Sequence, residues 1–104
     1  MQIVLTTVAD LSQAEALARK IVEARLAGCV QVLPAMTSIY IWKGRIENEA
    51  EHLLLIKTLP EKWQALREFI TEHHAYDVPE IVAIDAAAVS EPYRAWLIAT
   101  IGDE

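Results

Sequence analysis

Residues 36–58, MTSIYIWKGRIENEAEHLLLIKT, restrict the possible folds more than any other stretch of the chain. They read as one long β-hairpin turning at Lys43 and Gly44, where Gly44 supplies a positive φ. The return strand runs from about residue 46 to residue 58, and such a strand of about 13 residues spans roughly 40 Å. A compact domain of about 100 residues has a radius of gyration near 13 Å, hence a diameter of roughly 30–35 Å. The hairpin is therefore expected to project from its own domain, leaving edges that must be paired or blunted. Its polar middle, residues 47–52, blunts part of an edge. Its apolar parts, residues 39–42 and 53–56, are expected to pack on another subunit.

The remaining elements follow with short joints. Residues 3–8 form a short β-branched run, read as a buried strand. Asp10 starts a helix with Gln13 at the capping-box position. Ala14, Leu17, Ala18, Ile21, Val22 and Leu26 recur at helical spacing, and Gly28 is expected to end that helix. Residues 29–33 form a second strand, interrupted by Pro34. Pro60 opens a second helix with Trp63, Leu66, Phe69, Ile70 and His73 on its apolar face, and Pro79 prevents its continuation. Residues 81–84 are a further strand. Ser90 is expected to cap a last helix carrying Tyr93, Trp96, Leu97 and Ile101 on one face, with Gly102 past its end. The order β-α-β-β-α-β plus a C-terminal helix is the ferredoxin-like α+β arrangement: an antiparallel sheet with helices on one face. One domain covers residues 1–104, with no linker or repeat.

Composition narrows the function. The net charge of −6, without a Lys/Arg cluster, argues against a nucleic-acid partner and is compatible with cations. The hydrophobic share of 54% exceeds the roughly 45–50% of soluble domains and hints at apolar surface buried between chains. The single cysteine, Cys29, excludes an internal disulfide framework and reads as a buried, inert thiol. The start MQIVLTT lacks the pattern of a secretory leader, and no apolar run approaches about 18 residues. A cytoplasmic protein with no membrane partner is expected. The three glycines, at 28, 44 and 102, form no phosphate-binding loop, and no nucleophile pattern is visible, so no enzyme is expected.

The runs LAGCVQVLPAMTSIYIWKGRIENEAEHLLLIKT, HHAYDVPEI and YRAWL resemble the CutA divalent-cation-tolerance family, over Ile3 to about Ile98. The resemblance implies a very stable homotrimer, similar in build to the PII signalling trimers. It also implies binding of divalent copper, a link to cation tolerance and no established catalysis. Ala75 replaces the family's usual proline. Thr6 stands where some members have a cysteine taken as a copper ligand together with the paired histidines. A hydroxyl is a poorer copper ligand than a thiolate, so any copper here rests on imidazoles and oxygen ligands.

Two residue groups are candidate sites. His73 and His74 are the candidate ligands of a divalent metal, which the resemblance implies to be Cu(II). Helical neighbours point about 100° apart, so both grip one ion only if the helix frays or if they serve different subunits. The plainer alternative packs His73 on the apolar face and lets His74 cap helix carbonyls. His52, among Glu49 and Glu51, reads as a surface strand residue. The second group is Tyr40, Trp42, Glu51, Lys57, Tyr76 and Glu80. It forms either an interface network or a cleft between the hairpin of one subunit and the turn of another. In the cleft reading, aromatic walls surround a small ligand held by Lys57 and Glu80, as in a PII-like sensor.

Overall fold

A computed structural model describes residues 1–102 of the chain. Its strands are β1 (Gln2–Val8), β2 (Cys29–Val32), β3 (Met36–Trp42), β4 (Arg45–Thr58) and β5 (Val82–Asp85). Its helices are α1 (Leu11–Glu23), α2 (Trp63–His73) and α3 (Glu91–Ile101), with a 3-10 turn at Pro60–Lys62. The order is the expected α+β, ferredoxin-like one, and every strand pairing is antiparallel.

β4 organises the fold. The C-terminal part of this 14-residue strand lies between β1 and β2, in the order β2-β4-β1-β5. Its N-terminal part pairs with β3 alone, from Met36 opposite Glu51 to Trp42 opposite Arg45. The hairpin therefore projects, and the molecule measures 46 × 26 × 23 Å. Lys43 and Gly44 both take positive φ, 51° and 78°, as a type I′ turn requires. One sheet face carries the core, in which Val4, Leu54 and Ile56 pack with Ala14, Ile21, Leu66 and Ile70 of α1 and α2. Leu53 and Leu55 point to the opposite face and stay half-buried, while Val82 and Ile84 are exposed. Half of the apolar run at 53–56 thus serves the chain's own core.

Local sequence explains most boundaries. The Asp10 carboxylate accepts the Gln13 N–H at 2.8 Å and caps α1. The C-terminus of α1 departs from expectation, because Arg25, not Gly28, takes the left-handed position with φ 61°. Arg25 N–H donates to Val22 O and Leu26 N–H to Ile21 O, the two bonds of a Schellman motif. Gly28 is small for another reason: a Cβ there would stand 2.6 Å from Leu97 Cδ1 and 3.2 Å from the Trp96 ring. This glycine lets α3 approach the start of β2. Pro60 opens the 3-10 turn rather than α2 itself. Ser90 sits at the N-cap of α3, but its side chain makes no capping bond. Leu97 and Ile101 bury α3 against Leu59 and Met1, leaving Trp96 44% exposed.

Candidate functional site

α2 ends at His73, and the backbone of His74 is already extended, with φ −85° and ψ 143°. The two imidazoles therefore diverge and do different work. His73 is exposed, not packed on the apolar face. Its ring stacks on Phe69 with centroids 4.1 Å apart. Its Nδ1 stands 2.9 Å from Phe69 O. A carbonyl only accepts, so the proton is on Nδ1 and the Nε2 lone pair remains unused. His74 is half-buried beyond the helix and caps none of its carbonyls. Its Nε2 donates to Thr7 O at 2.8 Å, and its Nδ1 accepts the Tyr76 N–H at 3.1 Å. Both ring nitrogens of His74 are consumed in holding the 74–76 turn to the end of β1, so this ring offers no lone pair to a metal. Glu72, His73 and His74 share a recess of about 240 Å³ with Lys20 and Gln13. Among the described residues no three His, Cys, Asp or Glu side chains converge on one point.

The turn that His74 anchors completes a larger groove. Met36, Ser38, Tyr40 and Trp42 face Glu51, Glu49, Glu47 and Arg45 across the β3–β4 ladder, so these residues share one face of the hairpin. Tyr76, Val78 and Glu80 close the groove, whose volume is about 810 Å³. Tyr76 donates its hydroxyl to Glu51 Oε2 at 2.7 Å. The hairpin and the turn thus meet within one chain, where the sequence reading had taken them from two. Glu51 is only 8% exposed, and no ion pair to it is present among the described residues. Burial raises the Tyr76 phenol well above its ordinary range, helped by its bond to Glu51 and by the Glu51 and Glu49 charges. Loss of solvent and the Glu49, Glu51 and Glu47 carboxylates raise the Tyr40 phenol in the same direction. Both phenols stand in one strongly negative field.

The structure brings together Tyr40, Trp42, Glu51, Tyr76 and Glu80, but not Lys57. Lys57 is six positions from Glu51 along one strand, about 20 Å away, and donates to Gln31 Oε1 at 2.5 Å. The sequence reading missed Glu47, Glu49 and Ser38 as groove residues. Their signal was the two-residue period of β4 read against the Lys43-Gly44 turn. His52 Nδ1 stands 2.9 Å from Leu33 O, a structural bond where the chain leaves β2. Cys29 is half-buried at the start of β2.

Thr6 lies on the core face, fully buried, and its hydroxyl has no hydrogen-bond partner. Replacing it with valine removes an unsatisfied polar group at nearly constant volume. Thr6→Val is expected to stabilise the fold by about 1 kcal/mol, seen as a higher guanidinium midpoint at unchanged slope. An unchanged or lower midpoint would show that the hydroxyl is satisfied in solution.

Comparison with known proteins places the chain. Residues 2–100 match the family described as CutA1 divalent ion tolerance protein. The divalent-cation tolerance protein CutA of Thermus thermophilus is 42% identical, over 92% of this chain and 93% of that protein. Protein CutA, chloroplastic, of Arabidopsis thaliana is 37% identical over 91% of this chain. The chain spans only about half the length of that plant relative and of a mouse one, 52% and 48%. The solved Thermus thermophilus divalent cation tolerance protein superposes with a TM-score of 0.93 at 41% identity, covering 98% of this chain and 100% of that one. Pyrococcus horikoshii CutA gives 0.93 at 38%, covering 97% and 99%.

Proposed function

The chain belongs to the CutA1 divalent ion tolerance family, and from that premise we propose that it is a homotrimer that binds divalent cations and takes Cu(II) through His73. One observation carries the ligand assignment: the Nε2 lone pair of His73 is free and exposed, whereas both nitrogens of His74 are spent on the backbone. Imidazole is a good ligand for copper, and Glu72 in the same recess offers an oxygen. A single imidazole makes an incomplete copper site, so the remaining ligands come from solvent or a neighbouring subunit. Assembly is supported by the apolar residues that the chain leaves exposed, Ile39, Ile41 and Ile46 on the hairpin and Val82 and Ile84 on the open sheet face. The reading is of a binding protein and not an enzyme.

Calorimetric titration of tag-free protein with Cu(II) tests the assignment. His73→Ala is expected to weaken binding at least tenfold. His74→Gln, in a protein still folded by circular dichroism, is expected to bind as the wild type does. The reverse pattern would mean that His74 leaves its backbone partners to hold the metal, and equal affinity in all three would remove both histidines from the site.

A further inference from the structure

Among the described residues, both contacts that hold the His73 ring come from Phe69, one turn earlier on α2. We propose that Phe69 is a positioning residue for the metal donor. Its carbonyl and its ring together fix the tautomer and the orientation of the imidazole, so that Nε2 is presented outward as the donor atom. The inference rests on the assignment of His73 as the ligand.

The backbone contact selects the nitrogen. A neutral imidazole carries its proton on either nitrogen, and the bond made by one nitrogen decides the role of the other. Nδ1 of His73 stands 2.9 Å from Phe69 O, which holds the proton there. Histidines that ligate metals almost always give their other N–H to a carbonyl, a carboxylate or water, which fixes the ring and raises the basicity of the donor nitrogen. His73 has this arrangement. His74 does not, because its Nδ1 accepts the Tyr76 N–H and its Nε2 is bonded to Thr7 O.

The ring contact selects the direction. His73 is exposed, and an exposed side chain ordinarily keeps its rotamer freedom. Here its ring lies on that of Phe69, with centroids 4.1 Å apart and planes 22° apart. Phe69 is half-buried and packs against the core of the domain, so the platform under His73 is itself held. The i, i+4 spacing of the two residues gives this contact only on a helix, and α2 stays helical through His73 before the chain extends at His74. The face of an aromatic ring is negative, and an imidazole becomes more positive once Nε2 donates its lone pair. Stacking on Phe69 therefore favours the donating state over the free one.

Nitrogen-15 NMR of the metal-free protein at about pH 8, above the ordinary histidine range, tests the tautomer. The His73 signals, identified by their loss in His73→Ala, are expected to show the Nδ1–H form in the wild type and in Phe69→Tyr, which keeps the ring. Phe69→Leu, which keeps the carbonyl but not the ring, is expected to show a mixture of both forms. Calorimetric titration with Cu(II) tests the consequence: Phe69→Leu is expected to bind about fivefold more weakly, and Phe69→Tyr as the wild type does. Ile70→Val, at a fully buried core position, loosens the same helix and is expected to leave copper affinity unchanged. An Nε2–H imidazole at His73 in the wild type overturns the inference. So does a Phe69→Leu variant that keeps either the wild-type tautomer or the wild-type affinity. Equal losses in Phe69→Leu and Ile70→Val would make the effect one of helix stability and overturn it too. Copper affinity unchanged in His73→Ala removes His73 as the ligand, and this inference with it. A loss in His73→Ala without one in Phe69→Leu removes this inference alone.

Discussion

His74→Ala is expected to lower the unfolding free energy by about 2–4 kcal/mol, the sum expected when two partly buried backbone groups lose their partners. The Thr7 carbonyl loses its donor and the Tyr76 N–H loses its acceptor. The same change removes a ring that stands 4.7 Å from Tyr76. The loss is therefore local as well as global. Once the turn is no longer fixed to β1, Tyr76 reaches Glu51 less often, and amide exchange across residues 75–80 is expected to quicken in the variant before the core opens. Guanidinium unfolding measures the first effect and hydrogen exchange the second. A midpoint equal to that of the wild type would show that the His74 bonds are replaced by water at no cost.

The second large effect concerns assembly. Ile41 and Ile46 stand directly opposite each other near the hairpin tip, at 74% and 79% exposure, with Ile39 at 70% beside them. Fully burying one isoleucine is worth about 1.5–3 kcal/mol, and the pair is repeated in every subunit of the proposed trimer. Replacing both with glutamate inverts that contribution, because a desolvated carboxylate needs a partner. The Ile41→Glu/Ile46→Glu variant is expected to scatter light as a single 11.6 kDa chain, where the wild type scatters at about three times that mass. Neither residue touches the core, so the variant is expected to keep its far-ultraviolet spectrum. A variant that stays at the larger mass would move the interface elsewhere, and a wild type at 11.6 kDa would remove the trimer altogether.

The legible parts of the fold are those governed by local chemistry. Asp10 announces a helix start because its side chain does the capping itself. Lys43-Gly44 announces a hairpin because few residues adopt two successive positive φ values. Gly28 misled for a related reason. Glycine usually marks the left-handed end of a helix, but here Arg25 accepts that conformation, and the glycine answers to Leu97 and Trp96, nearly 70 residues away in sequence. No local rule reports such a contact. The site was partly legible in the same sense. Tyr40, Trp42, Glu51, Tyr76 and Glu80 do share one groove, but their being held within a single chain depends on the Tyr76–Glu51 bond. Lys57 was separable by strand arithmetic alone. The histidines were not resolvable from spacing, since their different roles depend on the helix stopping between them.

The length of β4 has a further consequence. One continuous strand carries both the body of the domain and the projecting arm, with no break between Glu51 and His52. Side chains alternate along it, so which face of the arm bears carboxylates and which bears isoleucines is a matter of parity, counted from Leu54 in the core. Inserting a single residue between the two halves leaves every pairing in the body possible and lets β3 follow its partner. It nevertheless turns the arm inside out. Glutamates would be presented where Ile46 now stands, and the aromatic wall would face away from Tyr76. An even-numbered insertion lengthens the arm and preserves its sidedness. The arm can therefore tolerate changes in reach far more readily than changes in phase.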